Sequence, residues 1–582
     1  MAKLRFAQFS GEIPKLIPRL LPDSAAQQAE NVRLDDGGLT PVRKSKLAKA
    51  FTDSEVSGDI QTIYKWGEAW LGWNSIVHAV PGPVAADRLY YTGDGVPKMR
   101  VGSTVYDLKL AYPTAALTAS MSGTGTGDVI TRLYCYTFVT AYGEESEPSP
   151  ISADVLWQSG KTVTLAGFQA PPAGRSITLQ RIYRSQSSSQ AGTDLFLIAE
   201  RAASTATFTD IYSPTQFGEI LPSRDWNQPP DDLKGLIALP NGMMAGFTGK
   251  QLCFCEPYRP HAWPEKYRLT TAYNIVALSA FENTIIAGTE GVPYAASGNS
   301  PDSMVEQKLE LNFPCINGRG MVDLGYSAAY PSNDGLVVAN SGGVSVATGN
   351  LFTRADWQKI SPSTIVAGQF SGRYFFSYEY SELDGTIYSG TAIIDLTGQQ
   401  PFLLRAPWKA QAFHFDIPSG QLFYLVGRNV YEFDALGEVN EIMTWRSKRV
   451  VLDAPAAFGA ILIEALDELT DEQKAAIAAA KAQAAIDNAA LYAQASMGSE
   501  LDGSAMAELV FSGDNLQKIA EDEVIAVSIY AGGNLIATIS NTDDVKRFPC
   551  PRKERVWEIQ VNGSRPLEQI TLATSARELN EI

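Results

Sequence analysis

The sequence predicts a mainly β protein: a β-propeller-like central domain, an inserted fibronectin/immunoglobulin-like sandwich, and a small C-terminal β region carrying one long Ala-rich helix. Three observations predict it. From Leu233 to Asp434 a strand, tight turn, strand unit recurs five times, at residues 236–247, 275–288, 328–339, 365–376 and 413–424. Its turn markers at 242, 283, 335, 372 and 420 lie 41, 52, 37 and 48 residues apart, a blade-like period with several strands per unit. Second, Gly (48) and Pro (32) are plentiful while charged residues are only 19%, which suits many short strands joined by tight turns. Third, about seven short strands fall within residues 118–222, the density of a small antiparallel sandwich. A blade buries too little surface alone, so neighbouring blades must stack before their alternating Val, Ile and Phe leave water. An ordinary β-sandwich with irregular hairpins is the alternative, because no strict signature such as Trp-Asp marks the repeat.

Residues 1–50 read as an N-terminal extended arm and strap. Pro14, Pro18 and Pro22 fix φ and remove donors, so residues 13–21 are expected to lie extended over another surface. Asp23 or Ser24 is expected to cap a short helix running towards Val32. Residues 51–117 hold the first propeller strands: 60–73 reads as a hairpin with Gly67 at its turn, and 88–98 adds a further strand and turn. Residues 118–225 are the sandwich, where Tyr134, Tyr136 and Phe138 share one face of a strand. Ser122-Gly123-Thr124-Gly125 supplies a flexible hinge before it. The remaining blades occupy 226–450, bringing the count to about six.

In the C-terminal β region, 451–582, residues 458–465 form a strand and Gly532-Gly533 joins a hairpin. Thr470-Asp471-Glu472-Gln473 makes a capping box that opens the Ala-rich helix, 470–497, which Gly498 stops. Its apolar face is thin, so it either packs between subunits or is a solvated spacer.

The net charge of −17 argues against a surface that grips nucleic acid, since phosphate binding needs clustered Lys and Arg. The charge is also uneven: residues 1–50 carry nine Lys or Arg against five Asp or Glu, and residues 451–582 carry ten against twenty-one. Five scattered cysteines (Cys135, Cys253, Cys255, Cys315, Cys550) make a disulfide framework improbable, and Cys253 and Cys255 read as small core residues rather than zinc ligands. Nothing resembles a signal peptide or a membrane span, so synthesis in the cytoplasm is expected.

No catalytic, cofactor-binding or metal-binding residues are assigned, and no enzyme activity is expected. His78, His261 and His414 stand far apart in aromatic or apolar settings and read as structural. Gly123-Thr124-Gly125-Thr126-Gly127 precedes a strand instead of opening a helix, which removes the phosphate-cradle logic. Ser332-Asn333-Asp334-Gly335 faintly resembles a sialidase Asp-box turn but lacks the downstream aromatic, leaving a propeller glycosidase or sugar-binding virion protein as an alternative. A fibronectin-module adhesin is another.

Five stretches together resemble the tail nozzle (tail tubular protein B) family of short-tailed bacteriophages, from end to end of the chain. They are Phe9-Ser10-Gly11-Glu12-Ile13-Pro14 with Pro18-Arg19-Leu20-Leu21-Pro22; Leu89-Tyr90-Tyr91-Thr92-Gly93-Asp94-Gly95-Val96-Pro97-Lys98; Tyr136-Thr137-Phe138-Val139-Thr140 with Gly143-Glu144-Glu145; Arg181-Ile182-Tyr183-Arg184; and Ile570-Thr571-Leu572-Ala573-Thr574-Ser575. The resemblance implies a structural virion protein: a homohexameric ring below the head-to-tail adaptor, anchoring tail fibres or spikes, through which genomic DNA passes during ejection without sequence-specific binding. Six copies would carry 6 × −17 = −102 formal charges, and an acidic lumen would let DNA slide without sticking.

Overall fold

The computed structural model describes the chain from Lys3 to Asn580, apart from residues 36, 188–192, 213–215, 383, 385, 397, 399, 466–478, 480–481, 484, 490–523, 541–542 and 551. It is mainly β and divides into two compact units, one formed by residues 52–346 with 362–367, the other by 1–51, 347–361 and 368–582.

The first unit contains the stacked blades. Four antiparallel sheets of four strands each follow the chain as simple meanders. They begin at His78–Pro81, Lys234–Ala238, Ile275–Phe281 and Val322–Asp323 and end at Thr104–Asp107, Leu269–Thr270, Val305–Lys308 and Gly343–Val346. A two-stranded hairpin, Thr62–Trp66 with Ala69–Trp73, precedes them, with Gly67 at its turn at φ +60°. Consecutive sheets share cores. Tyr90 and Met99 pack with Leu236 and Met244; Phe247 and Phe254 pack with Ile285 and Tyr294; Ile286 and Ala295 pack with Tyr330 and Val337. Face-to-face stacking of four-stranded meanders is the packing of a β-propeller, so this part of the fold is β-propeller-like.

Gly93 shows why the turns are sequence-specified. It sits at φ +102°, and a Cβ there would lie 2.0 Å from the Ile76 carbonyl oxygen. Gly93→Ala is therefore expected to cost about 2–3 kcal/mol, from left-handed strain plus the backbone collision, read as a lower denaturation midpoint at unchanged m-value.

The inserted sandwich lies between the first two of these meanders. Tyr134–Thr140, Ile177–Ser187 and Thr193–Ala202 form one antiparallel sheet, and Thr118–Ser122, Thr162–Ala166 and Phe208–Asp210 form another. Thr126–Arg132 pairs with Val155–Ser159 beside them. The core between the sheets is Tyr134, Tyr136, Phe138, Val163, Leu165 and Ile182, all at most 1% exposed. Alternating aromatic and β-branched residues put their apolar side inward, as the period of two requires.

A ten-stranded sheet, in the second unit from Gly368 onwards, takes in the fourth repeat, Val366–Phe370, Arg373–Ser381, Ile387–Asp395 and Phe402–Ala406. The repeat does not end as a free blade. Its last strand pairs in parallel with Ala26–Glu30, and the sheet continues through Met443–Ser447 and Glu554–Gly563 to the hairpin Ile525–Ala531 with Asn534–Ile539. Gly532 and Gly533, at φ +58° and +84°, make that hairpin's turn, a pair of positive φ values matched to strand twist. The fifth repeat is a four-stranded sheet whose outer strand, Lys46–Ala50, comes from the N-terminal arm. A smaller sheet joins Lys3–Phe6, Leu567–Ala573, Ala460–Ala465 and Lys546–Arg547.

Two expectations for the arm are corrected. Ala26–Glu30 is a strand, not a helix: Ala26 and Ala29 are buried against the ten-stranded sheet, and pairing with Met443–Ser447 satisfies a backbone that the local sequence alone would coil. Residues 13–21 are not extended. Leu16 N–H bonds to the Ile13 carbonyl and Leu20 N–H to that of Ile17, so Pro14 and Pro18 each take the second position of a tight turn, where their fixed φ fits. The strap still docks on its own unit, since Glu12 exchanges backbone hydrogen bonds with Leu403 and Lys15 N–H reaches the Leu351 carbonyl. The helix expected over 470–497 falls almost wholly outside the described residues; 485–489 are helical. No helix among the described residues is long and apolar enough to cross a membrane.

Candidate functional site

Buried charge concentrates in the inserted sandwich. Arg132, Arg184 and Asp210 have side chains 5%, 1% and 0% exposed. The Asp210 carboxylate accepts from Arg184 Nη1 at 2.8 and 3.0 Å, from Arg132 Nη1 at 3.3 Å and from the Tyr134 hydroxyl at 2.8 Å. Burial pushes Tyr134 upwards, reinforced by the Asp210 charge, so it stays a donor. Arg132 lies over the Trp157 ring at 3.6 Å. A second cluster is tied to the first by strand Ile177–Ser187. Glu145 accepts from Arg181 Nη1 at 2.8 Å, the Tyr183 hydroxyl at 2.6 Å and the Thr137 hydroxyl at 2.8 Å, while Arg175 pairs with Glu144. These carboxylates are satisfied acceptors surrounded by donors, an arrangement that orients strands and leaves no base poised for proton transfer.

The three histidines occupy separate elements. His78 is in His78–Pro81, His414 in Ala412–Asp416, and His261 in the segment after Gln251–Phe254. His261 is 3% exposed; its Nε2 is 2.9 Å from the Glu145 carbonyl oxygen and Trp226 meets its ring edge-on. Burial lowers its pKa to about 4. Between pH 6.5 and about 4 the unfolded chain therefore takes up a proton that the folded chain refuses, so stability is complete above 6.5 and declines as pH falls through that window, by on the order of 3 kcal/mol at its lower end. The expected result is an acid-side loss of unfolding free energy that His261→Gln flattens, measured by urea titrations at pH 7, 5.5 and 4.5.

Cys135, Cys253, Cys255 and Cys315 are free and buried, and burial raises their thiols to about 12, 11, 12 and 12. They pack as core residues. Ser332 and Gly335 close the tight hairpin between Ala328–Ser332 and Gly335–Asn340. Among the described residues no group of three or more His, Cys, Asp or Glu is arranged to hold a metal ion.

One cleft stands apart from these clusters. It lies in the second unit between the short helix Arg354–Lys359 and the sheet face of Arg373–Ser381, Ile387–Asp395 and Phe402–Ala406, with a volume of about 150 Å³. Above it the strap is clamped: buried Glu12 accepts from Arg405 Nε at 2.9 Å and from the Ala29 N–H at 3.0 Å. Nothing local in the sequence signals this cleft, because its walls come from residues 14, 352–360, 376–380, 392 and 403–405.

No protein-family model and no curated protein matches the chain's sequence. Solved structures give remote likenesses. The N-terminal domain of Nup159 aligns at 10% identity over 46% of this chain and 68% of that one, with a TM-score of 0.22. Hsv2 of Kluyvelomyces marxianus aligns at 10% identity over 50% and 90%, with a TM-score of 0.19. The gluconolactonase XC5397 of Xanthomonas campestris aligns at 11% identity over 71% and 99%, with a TM-score of 0.20. Likenesses this remote say nothing about activity, and the propeller-like assignment rests on the sheet order and shared cores described above.

Proposed function

We propose that the chain is a structural subunit of a phage tail nozzle: six copies form a ring at the distal end of a short tail, joined to the head-to-tail adaptor and carrying fibres or spikes, and genomic DNA leaves through the ring. The observation that carries this reading is the end-to-end sequence resemblance. The framework supports it through the residues that bear the resemblance. Phe9 packs edge-on against Trp445, Gly93 is fixed by its turn, Arg181 and Arg184 bind the sandwich's buried carboxylates, and Leu572 and Ala573 are fully buried. They are positions a shared architecture needs, whatever its surface carries.

The charge balance fits the same role. A ring of −102 formal charges, six times −17, favours passage over retention of a polyphosphate. The protein then resides in the virion after synthesis in the host cytoplasm. Light scattering of the purified chain, alone and with the adaptor ring, is expected to give a hexamer-sized species, and negative-stain images a ring with a central hole. A monomer under both conditions overturns the reading. A basic channel wall in the assembled ring would overturn its electrostatic part.

A further inference from the structure

The cleft beside Arg354–Lys359 combines an apolar floor with a polar rim. Its floor is apolar and fixed: Phe376, Ala392 and Leu403 are 1%, 2% and 1% exposed, and Ala392 leaves room where a larger residue on that strand would fill it. Its rim carries planar polar groups of both signs. Arg405 spends Nε on Glu12 and Nη1 on the Tyr378 hydroxyl, at 2.9 Å each, so its Nη2 holds no hydrogen bond among the described residues. Asp356 spends Oδ2 on the Thr353 hydroxyl at 2.6 Å, leaving Oδ1 in the same position, and the Tyr380 hydroxyl also bonds to no described residue. The cations are already matched, Arg405 by Glu12 and Lys359 by Glu382, so an anion would find no uncompensated charge.

An apolar floor rimmed by one open carboxylate oxygen, one open guanidinium nitrogen and one phenol suits a ligand with a hydrogen-clad face and a ring of hydroxyls that both donate and accept. A volume of about 150 Å³ admits one six-membered ring. We infer that this cleft binds a single neutral hexopyranose unit, as a free sugar or as the terminal unit of a glycan. The inference stands on the cleft alone and does not depend on ring assembly.

Saturation-transfer NMR on the full chain, with the methyl α-glycosides of glucose, galactose and mannose at millimolar concentration, tests it. At least one glycoside is expected to show transfer, with affinity reduced about tenfold in Asp356→Ala, whose side chain is at the surface, and abolished in Ala392→Leu, which fills the floor. Circular dichroism of each variant reports folding, and Asp356→Ala carries the test if Ala392→Leu does not fold. A trisaccharide ending in the bound unit that binds more tightly assigns the site to glycan ends; one that binds no better assigns it to the free sugar. No transfer from any glycoside, or transfer untouched by Asp356→Ala, overturns the inference.

Discussion

Asp210→Ala is expected to destabilise the inserted sandwich by about 3–5 kcal/mol, followed through amide hydrogen exchange of its strands. The reason is an imbalance in the buried cluster. Two guanidiniums, Arg132 and Arg184, share one carboxylate, and both are almost without solvent. Removing Asp210 takes from both buried guanidiniums the carboxylate they share, and takes the acceptor from the Tyr134 hydroxyl and the Tyr212 N–H as well. Removing one cation is different. Arg184→Met leaves Arg132 paired with Asp210, a matched set, and puts a flexible apolar chain beside Phe217, whose ring lies 5.0 Å from the Arg184 guanidinium. The expected order is thus Asp210→Ala well above Arg184→Met. Equal losses, or the reverse order, would show that packing and not charge balance sets the stability of this domain.

That cluster also marks where the sequence stops being legible. The strands that carry it can be read locally, because Tyr134, Tyr136 and Phe138 alternate and turn residues bound them. The pairing of Arg132 with a carboxylate 78 residues away cannot, since any of the domain's acids has the same local chemistry. The same division runs through the chain. Gly67 and Gly532-Gly533 declare their hairpins because only glycine takes those φ values cheaply. Ala26–Glu30 hides its strand, since Ala-Gln-Gln-Ala-Glu favours a helix until a sheet more than 400 residues on offers hydrogen bonds and burial. Lys46–Ala50, exposed at four of its five positions, gives no hint that it completes the sheet of the fifth repeat. The cleft is less legible still, being assembled from five separated segments.

Trp445→Ala is expected to cost about 3–5 kcal/mol in the second unit, and to release the strap before it unfolds the sheet. Trp445 is fully buried in Met443–Ser447, between its partners on Ala26–Glu30 and Glu554–Gly563. Its ring takes Phe9 edge-on at 5.0 Å, and its indole Nε1 donates to the Ser10 carbonyl at 3.1 Å. Truncation opens a cavity and removes two of the anchors of the segment that leads into Pro14 and Pro18, leaving those made by Glu12. Trp445→Phe separates these contributions: an aromatic ring remains to meet Phe9, while the hydrogen bond to Ser10 is lost, for about 1 kcal/mol plus the smaller volume change. Trypsin reads the strap directly at Lys15 and Arg19, both on its tight turns. Cleavage there should accelerate strongly in Trp445→Ala and modestly in Trp445→Phe, with cleavage elsewhere in the unit lagging behind. Simultaneous appearance of all fragments would mean that the strap and the ten-stranded sheet open as one cooperative block, and that Glu12, through Arg405 and Ala29, holds the strap more firmly than Trp445 does.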